Sequence, residues 1–241
     1  MKSLHTLRGL DVKSLKCFMG LSELTNLREL RMSVGLSLAS PKADALACSI
    51  GKLYNLERLS ISGSDHVVER VDSQLLGSLS NPFRHIERLE LHCWWLWRVP
   101  KWLFGLHCLR FLKLSVEETS TQDIHLLGEL PSLIHLEFEA LEIPNERAMI
   151  GTGLFPVLEF LKVSSGKDTT VYLAFEAGAM PSLRTLWFSA CDWVGTIPVG
   201  MEHLLHLQEI KVYWFPNDKD VGDTLKETLL MHPNHPSVTL L

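Results

Sequence analysis

One spacing constrains this chain more than any other feature. An apolar residue recurs at steps of three, three and two, giving L-x-x-L-x-x-L-x-L with any apolar residue allowed, and the template occurs nine times. Its members are Leu4, Leu7, Leu10, Val12; Leu24, Leu27, Leu30, Met32; Leu53, Leu56, Leu59, Ile61; Phe83, Ile86, Leu89, Leu91; and Leu106, Leu109, Leu112, Leu114. The remaining four are Leu130, Leu133, Leu136, Phe138; Phe155, Leu158, Leu161, Val163; Met180, Leu183, Leu186, Phe188; and Leu204, Leu207, Ile210, Val212. Successive first positions lie 20, 29, 30, 23, 24, 25, 25 and 24 residues apart.

The last two members alternate at period two and share one face of a short strand. The earlier members, at three-residue steps, cannot continue that strand and belong to the turn leading into it. No single unit can bury these side chains alone, whereas stacking sets each against its equivalents roughly 5 Å above and below. Each fully buried leucine is worth about 1.5–3 kcal/mol, and 45 of the 241 residues are leucine. Most of the periods fall in the range of leucine-rich repeats. The expected fold is therefore an α/β solenoid. It is a leucine-rich-repeat horseshoe with a parallel β-sheet on the concave face and short helices or irregular loops on the convex face.

Segments between the strands supply the convex side. Pro100-Lys101-Trp102-Leu103-Phe104 has proline at a first helical position, and Ile197-Pro198-Val199-Gly200-Met201-Glu202-His203-Leu204 has the same form. Ala43 to Ile50 and Asp123 to Leu127 read as short helices. The longer, polar connections after Met32, Ile61 and Phe138 are expected to be irregular loops or short extra helices. The solenoid of about nine repeats is expected over residues 1–215, with a C-terminal helical cap over residues 216–241. In that cap Val221, Leu225 and Leu229 make an amphipathic helix, His232-Pro233-Asn234-His235-Pro236 breaks it, and Val238, Leu240 and Leu241 can add a last strand. No cap precedes Leu4, so the chain is expected to be the C-terminal part of a longer protein.

Composition narrows the function. The net charge of −5 argues against nucleic-acid or anionic-membrane binding. The five cysteines include no CxxC pair, which suggests neither a zinc site nor a disulfide framework. No Asn-x-Ser/Thr acceptor, signal peptide or membrane-length apolar run is present. Gly35-Leu36-Ser37-Leu38-Ala39 fails as a nucleophile elbow at its last position. His203 and His206 lack further ligands and read as surface or cap residues, and Glu117-Glu118 reads as a solvated acidic pair. No catalytic residue, metal or cofactor is expected.

Several phrases in register with the template are more specific: Leu127-Gly128-Glu129-Leu130-Pro131-Ser132-Leu133, Phe155-Pro156-Val157-Leu158-Glu159-Phe160-Leu161, Gly178-Ala179-Met180-Pro181-Ser182-Leu183, Gly200-Met201-Glu202-His203-Leu204 and the closing His232-Pro233-Asn234-His235-Pro236. Together they resemble the leucine-rich-repeat region of plant intracellular immune receptors, in particular the coiled-coil nucleotide-binding receptors of grasses. The resemblance implies a cytoplasmic protein-recognition and autoregulatory module. Its implied partners are proteins: a pathogen effector, a guarded host protein, or the receptor's own nucleotide-binding module. A free-standing adaptor, scaffold or truncated receptor decoy is the alternative. The nucleotide-binding module is absent from this sequence: Gly51-Lys52-Leu53 is a fragment of a phosphate loop, and Met231-His232 is followed by Pro233. Cell-surface plant repeats carry an Asn ladder after the strand. Here only Cys191 occupies that position, although Gly195-Thr196-Ile197-Pro198 echoes their ending once.

In such a fold the residues between the strand leucines face a partner. The central column runs Asp11, Arg31, Ser60, Glu90, Lys113, Glu137, Lys162, Trp187, Lys211, with charge alternating from Glu90 to Lys162. Neighbours one rung apart are expected to pair, either as a self-neutralising ladder or as a pattern matched to a partner's charges. The column before it runs Gly9, Glu29, Arg58, Arg88, Phe111, His135, Phe160, Thr185, Glu209, and the one after ends Ser164, Ser189, Tyr213. Phe111, Phe160, Trp187 and Tyr213 are expected to cluster beside charges, as at interface hot spots, unless loops or a missing module cover them or they pack on one another. The candidate partner-binding residues are Phe111, Lys113, His135, Phe160, Lys162, Trp187, Lys211 and Tyr213. His92-Cys93-Trp94-Trp95-Leu96-Trp97-Arg98 is expected on a loop at the solenoid's edge, as a second contact or, for some of its tryptophans and for Trp102, as core filling.

Overall fold

The computed structural model describes residues 4–12, 20–34, 40–63, 69–71, 83–142, 148–165, 173–190, 198–214, 225, 227–230 and 232–241. Gly35–Ala39, Cys191, Gly195–Ile197, Val221 and Met231, named above, lie outside them. Two compact units divide the chain, Met1–Glu117 and Glu118–Leu241. In both, the quartets make the core. All four members of each of the seven quartets beginning at Leu53, Phe83, Leu106, Leu130, Phe155, Met180 and Leu204 are buried. The fold is a leucine-rich-repeat solenoid of parallel strands with short helical and extended segments between them.

In the first unit β1 (Thr6–Val12), β2 (Glu29–Val34), β3 (Arg58–Gly63), β5 (Arg88–Leu96) and β6 (Phe111–Glu118) lie side by side in that order, and β4 (Glu69–Val71) pairs with β5. All these pairings are parallel. Leu30, Leu59, Leu89 and Leu112 stand in direct register across four rungs. The turn before each strand repeats as well. The second quartet member donates its N–H to the carbonyl of the first, as Leu27 to Leu24 at 2.9 Å, Leu56 to Leu53 at 3.1 Å and Leu109 to Leu106 at 3.0 Å. One carbonyl just ahead of the strand then accepts two N–H groups of the following rung, as Arg28 does from Glu57 and Arg58. This satisfies backbone that would otherwise be orphaned beside the core.

In the second unit the order is β7 (His135–Glu142), β9 (Phe160–Ser165), β11 (Thr185–Ala190), β12 (Glu209–Trp214) and β13 (Ser237–Leu240), again parallel. A second small sheet pairs β8 (Ala148–Ile150) with β10 (Leu173–Phe175). Inward side chains of β7 and β9 meet Ile124 and Leu127 of helix α2 (Thr121–Gly128), with Ile150 and Leu173, around an apolar pocket. Helix α2 starts where Ser120 and Asp123 form a reciprocal capping box.

Several expectations need correction. After Met32 comes helix α1 (Ser40–Ile50), but the connections after Ile61 and Phe138 contain the short strands β4 and β8 rather than only loops or helices. Pro198 does not open a helix. Val199 bridges Ala174 in extended form, Gly200 takes φ 79°, and a 3-10 turn follows at Met201–His203. Pro100 immediately precedes the 3-10 turn Lys101–Gly105. His92–Leu96 is not a loop: it extends β5, because β4 supplies an edge to pair with, and Leu96 is fully buried while Trp97 is exposed. Glu117 is not solvated, since β6 carries it into the sheet and it is buried.

The first rung differs in register. Leu7 pairs with Leu30 but Leu10 with Met32 and Val12 with Val34, two positions from the template's alignment. Gly9 at φ 72° lies within the shift; a left-handed glycine lets one strand bulge against its neighbour.

The last strand falls where Val238 and Leu240 placed it, but the start of its quartet was hidden. Val238 and Leu240 of β13 stand beside Ile210 and Val212, the last two quartet positions. Counting back, His232 and His235 fill the first two, and the His235 N–H donates to the His232 carbonyl at 3.1 Å as in every such turn above. His232 is buried like the leucines it replaces.

Candidate functional site

Because strand residues alternate between faces, the residues between the buried leucines stand together on the outer face of each unit's sheet. On the second unit His135, Phe160, Thr185 and Glu209 make one in-register row. Glu137, Lys162, Trp187 and Lys211 make the next, two residues along each strand. Ser189 and Tyr213 follow. The rings of His135 and Phe160 stack with centroids 4.1 Å apart and planes 5° apart. The Lys162 ammonium lies 3.6 Å from the centre of the Trp187 ring. That cation–π contact holds a flexible lysine against the sheet and keeps its charge on the surface. Trp187 Nε1 has no hydrogen-bond partner among the described residues. Tyr213 is 46% exposed.

Among the candidate residues, Phe160, Trp187 and Tyr213 thus share one face with His135, Lys162 and Lys211. Two of the aromatics have neighbours of different kinds: an imidazole for Phe160 and an ammonium for Trp187. Phe111 and Lys113 belong to β6 of the first unit. There the Arg88 guanidinium lies 3.5 Å from the centre of the Phe111 ring, and Lys113 stands in register with Glu90.

The charged columns also pair along the strands. Carboxylates are met by basic side chains two residues away on the same strand: Glu90 by Arg88 and His92, Glu137 by His135 at 3.1 Å, and Glu209 by Lys211 at 3.1 Å. The first-rung bulge also moves two column members, so that Asp11 stands beside Ser33 and Thr6, not Gly9, beside Glu29.

The strongest cluster was not foreseen. Glu29 receives Arg8 through two hydrogen bonds of 2.9 and 2.8 Å, and Arg31 at 3.0 Å. Arg58 stands 3.9 Å away. The Arg8 hydrogen bonds hold the Glu29 carboxyl below the ordinary range, and Glu29 raises the Arg8 guanidinium in turn. For Glu90, burial alone would raise the carboxyl, but hydrogen bonds from Arg88 and His92 outweigh it and lower it. Arg8 escaped notice because the regular template gave its position to the opposite face, and only the Gly9 bulge corrects that.

A polar ladder also runs through the turns, ahead of the strands and not after them. Asn55 Nδ2 donates to the Thr25 carbonyl at 2.9 Å, Ser182 Oγ to Pro156 at 3.2 Å, and Asn234 Nδ2 to Leu205. Each donor sits two residues after a first quartet position and reaches the preceding rung. Trp102 meets Phe83 edge-on at 6.0 Å. Cys48 and Cys108 are free and exposed. Among the described residues no three His, Cys, Asp or Glu side chains converge on a metal position, and no helix is long and apolar enough to cross a membrane.

A family described as leucine-rich repeat region matches residues 1–238. Disease resistance protein RGA5 of Oryza sativa subsp. japonica is 34% identical over 97% of this chain and 22% of its own length. Disease resistance protein RPM1 of Arabidopsis thaliana is 27% identical over 86% of this chain and 22% of its own. Disease resistance protein Pik-2 of Oryza sativa subsp. japonica is 30% identical over 57% and 14%. The chain therefore spans about a fifth or less of these relatives.

Proposed function

The chain belongs to the leucine-rich-repeat family, and we propose that it is the protein-recognition and autoregulatory repeat module of a cytoplasmic plant immune receptor, performing no chemistry of its own. Likeness to disease resistance proteins over 97% of the chain supports this reading. Its partner is a pathogen effector, a guarded host protein or the receptor's own nucleotide-binding module. Residues 216–241 serve as the closing cap, with Leu225 and Leu229 buried in support.

The observation that carries the recognition role is the outer face of the second unit. His135, Phe160, Lys162, Trp187, Lys211 and Tyr213 put aromatic rings beside cations on a rigid sheet. Such rings give large contact area at low entropic expense, and aromatic anchors dominate interface energetics. Phe111 with Lys113 offers a smaller patch of the same chemistry on the first unit.

The test is Phe160→Ala combined with Trp187→Ala in the full receptor. With each anchor worth about 2 kcal/mol or more, partner binding or intramolecular contact should weaken by about a hundredfold or more, with loss of the effector response. Thermal stability should fall only modestly, since neither side chain is fully buried. Unchanged binding and response would refute the assignment.

A further inference from the structure

The outer face of the first unit carries a second, chemically different surface. Arg58 and Arg88 stand in direct register on β3 and β5, and Arg31 stands in register with Ser60, two residues beyond Arg58. Glu29 already holds Arg8 and Arg31 through hydrogen bonds, and Glu90 holds Arg88 and His92. Arg58 is left 3.9 Å from Glu29, beyond hydrogen-bond range, and its side chain is 54% exposed. Cations thus crowd one face of a chain whose net charge is −5.

We propose that this face, centred on Arg58 with Arg31 and Arg88, docks an acidic segment of a protein partner. A guanidinium grips a planar carboxylate through two parallel hydrogen bonds, and Arg58 has its whole fork to offer. An incoming Asp or Glu supplies the hydrogen-bonded partner that Glu29, at 3.9 Å, does not give Arg58. Glu29 and Glu90 at the flanks, with Asp11 beyond, oppose a continuous polyanion, which selects a short acidic peptide over nucleic acid. This surface belongs to the first unit and does not depend on the role given to the aromatic face of the second.

The experiment follows binding of a fluorescent Asp/Glu-rich peptide to the full chain by anisotropy. Binding should weaken at least about tenfold in an Arg31→Gln/Arg58→Gln variant, whose exposed positions leave the fold intact, and decline as salt rises from about 50 to 300 mM. It should persist in the Phe160→Ala/Trp187→Ala variant, which separates this inference from the recognition role above. Equal affinity of the double arginine variant would overturn the proposal. So would equal affinity for the same peptide with Asn and Gln in place of its acids, or preferential binding of a single-stranded oligonucleotide.

Discussion

His232 Nε2 lies 3.1 Å from the Met201 carbonyl oxygen, while His232 Nδ1 accepts the backbone N–H of Asn234 at 3.1 Å. A backbone N–H can only donate, so Nδ1 is the bare nitrogen and Nε2 carries the proton to Met201. The ring therefore does in the last rung what leucine does in the others, filling the first quartet position, and ties two turns together besides. His232→Ala should leave the Asn234 N–H short of a partner, leave the Met201 carbonyl with the Leu204 N–H alone and open a void, lowering stability by about 1–3 kcal/mol. Hydrogen exchange should show the loss first at the amides of Ser237–Leu240. Unchanged protection there would remove His232 from any structural role.

That rung shows why the sequence was legible only in part. The nine quartets were plain because period and hydrophobicity agree, and the interior rungs are buried as the spacing requires. His232 and His235 keep the period but not the hydrophobicity, so a template restricted to apolar residues passes over them. Gly9 does the reverse: Leu7, Leu10 and Val12 look regular, yet a left-handed glycine shifts the pairing and brings Arg8 to Glu29. The short strands β4 and β8 depend on partners elsewhere in the chain, which local pattern does not encode. On the outer face the columns were readable, but whether an arginine prefers a carboxylate two residues along or one rung across depends on rotamers.

Gly200 takes φ 79°, and a Cβ placed on it would collide with the Phe175 carbonyl oxygen. Two independent demands therefore exclude any side chain, one of backbone conformation and one of space. The close approach is enforced by Phe175 N–H donating to the Val199 carbonyl at 2.9 Å and Val199 N–H to Leu173 at 3.0 Å. Gly200→Ala must either break this bridge or shift β10, and should destabilise by at least about 2 kcal/mol in urea denaturation. A variant as stable as the parent would mean the bridge is not held in solution.

Glu29 makes stability depend on pH in a definite direction. Its carboxyl is held below the ordinary value by the Arg8 hydrogen bonds and, to a smaller degree, by Arg31. A depressed folded-state pKa stabilises the fold above the unfolded-state value, and that contribution disappears as pH falls through the folded-state value. The stability advantage of the parent over Glu29→Gln should hold at neutral pH, shrink below about pH 4.5 and approach zero in stronger acid. High salt should shrink it too, since the guanidinium groups are solvent-exposed. An advantage that grows on acidification would reverse the sign and refute the pairing.

Position along the stack should decide what a lost leucine costs. Leu158 is fully buried between β7-side and β11-side rungs, with Leu133 and Leu183 as its equivalents and both likewise fully buried. Leu7, on the first strand, is only half-buried. Leu158→Ala removes contacts on every side and leaves a cavity that neighbouring rungs cannot collapse into without losing register, a loss of about 2–5 kcal/mol. Leu7→Ala removes less buried area, so about 1 kcal/mol or less is expected. Because each rung touches only those beside it, the damage should also spread differently. Hydrogen exchange of Leu158→Ala should lose protection in β7, β9 and β11 together, whereas Leu7→Ala should fray β1 and spare β3. Equal destabilisation by the two substitutions would contradict a stack whose stability is built from nearest-neighbour rungs.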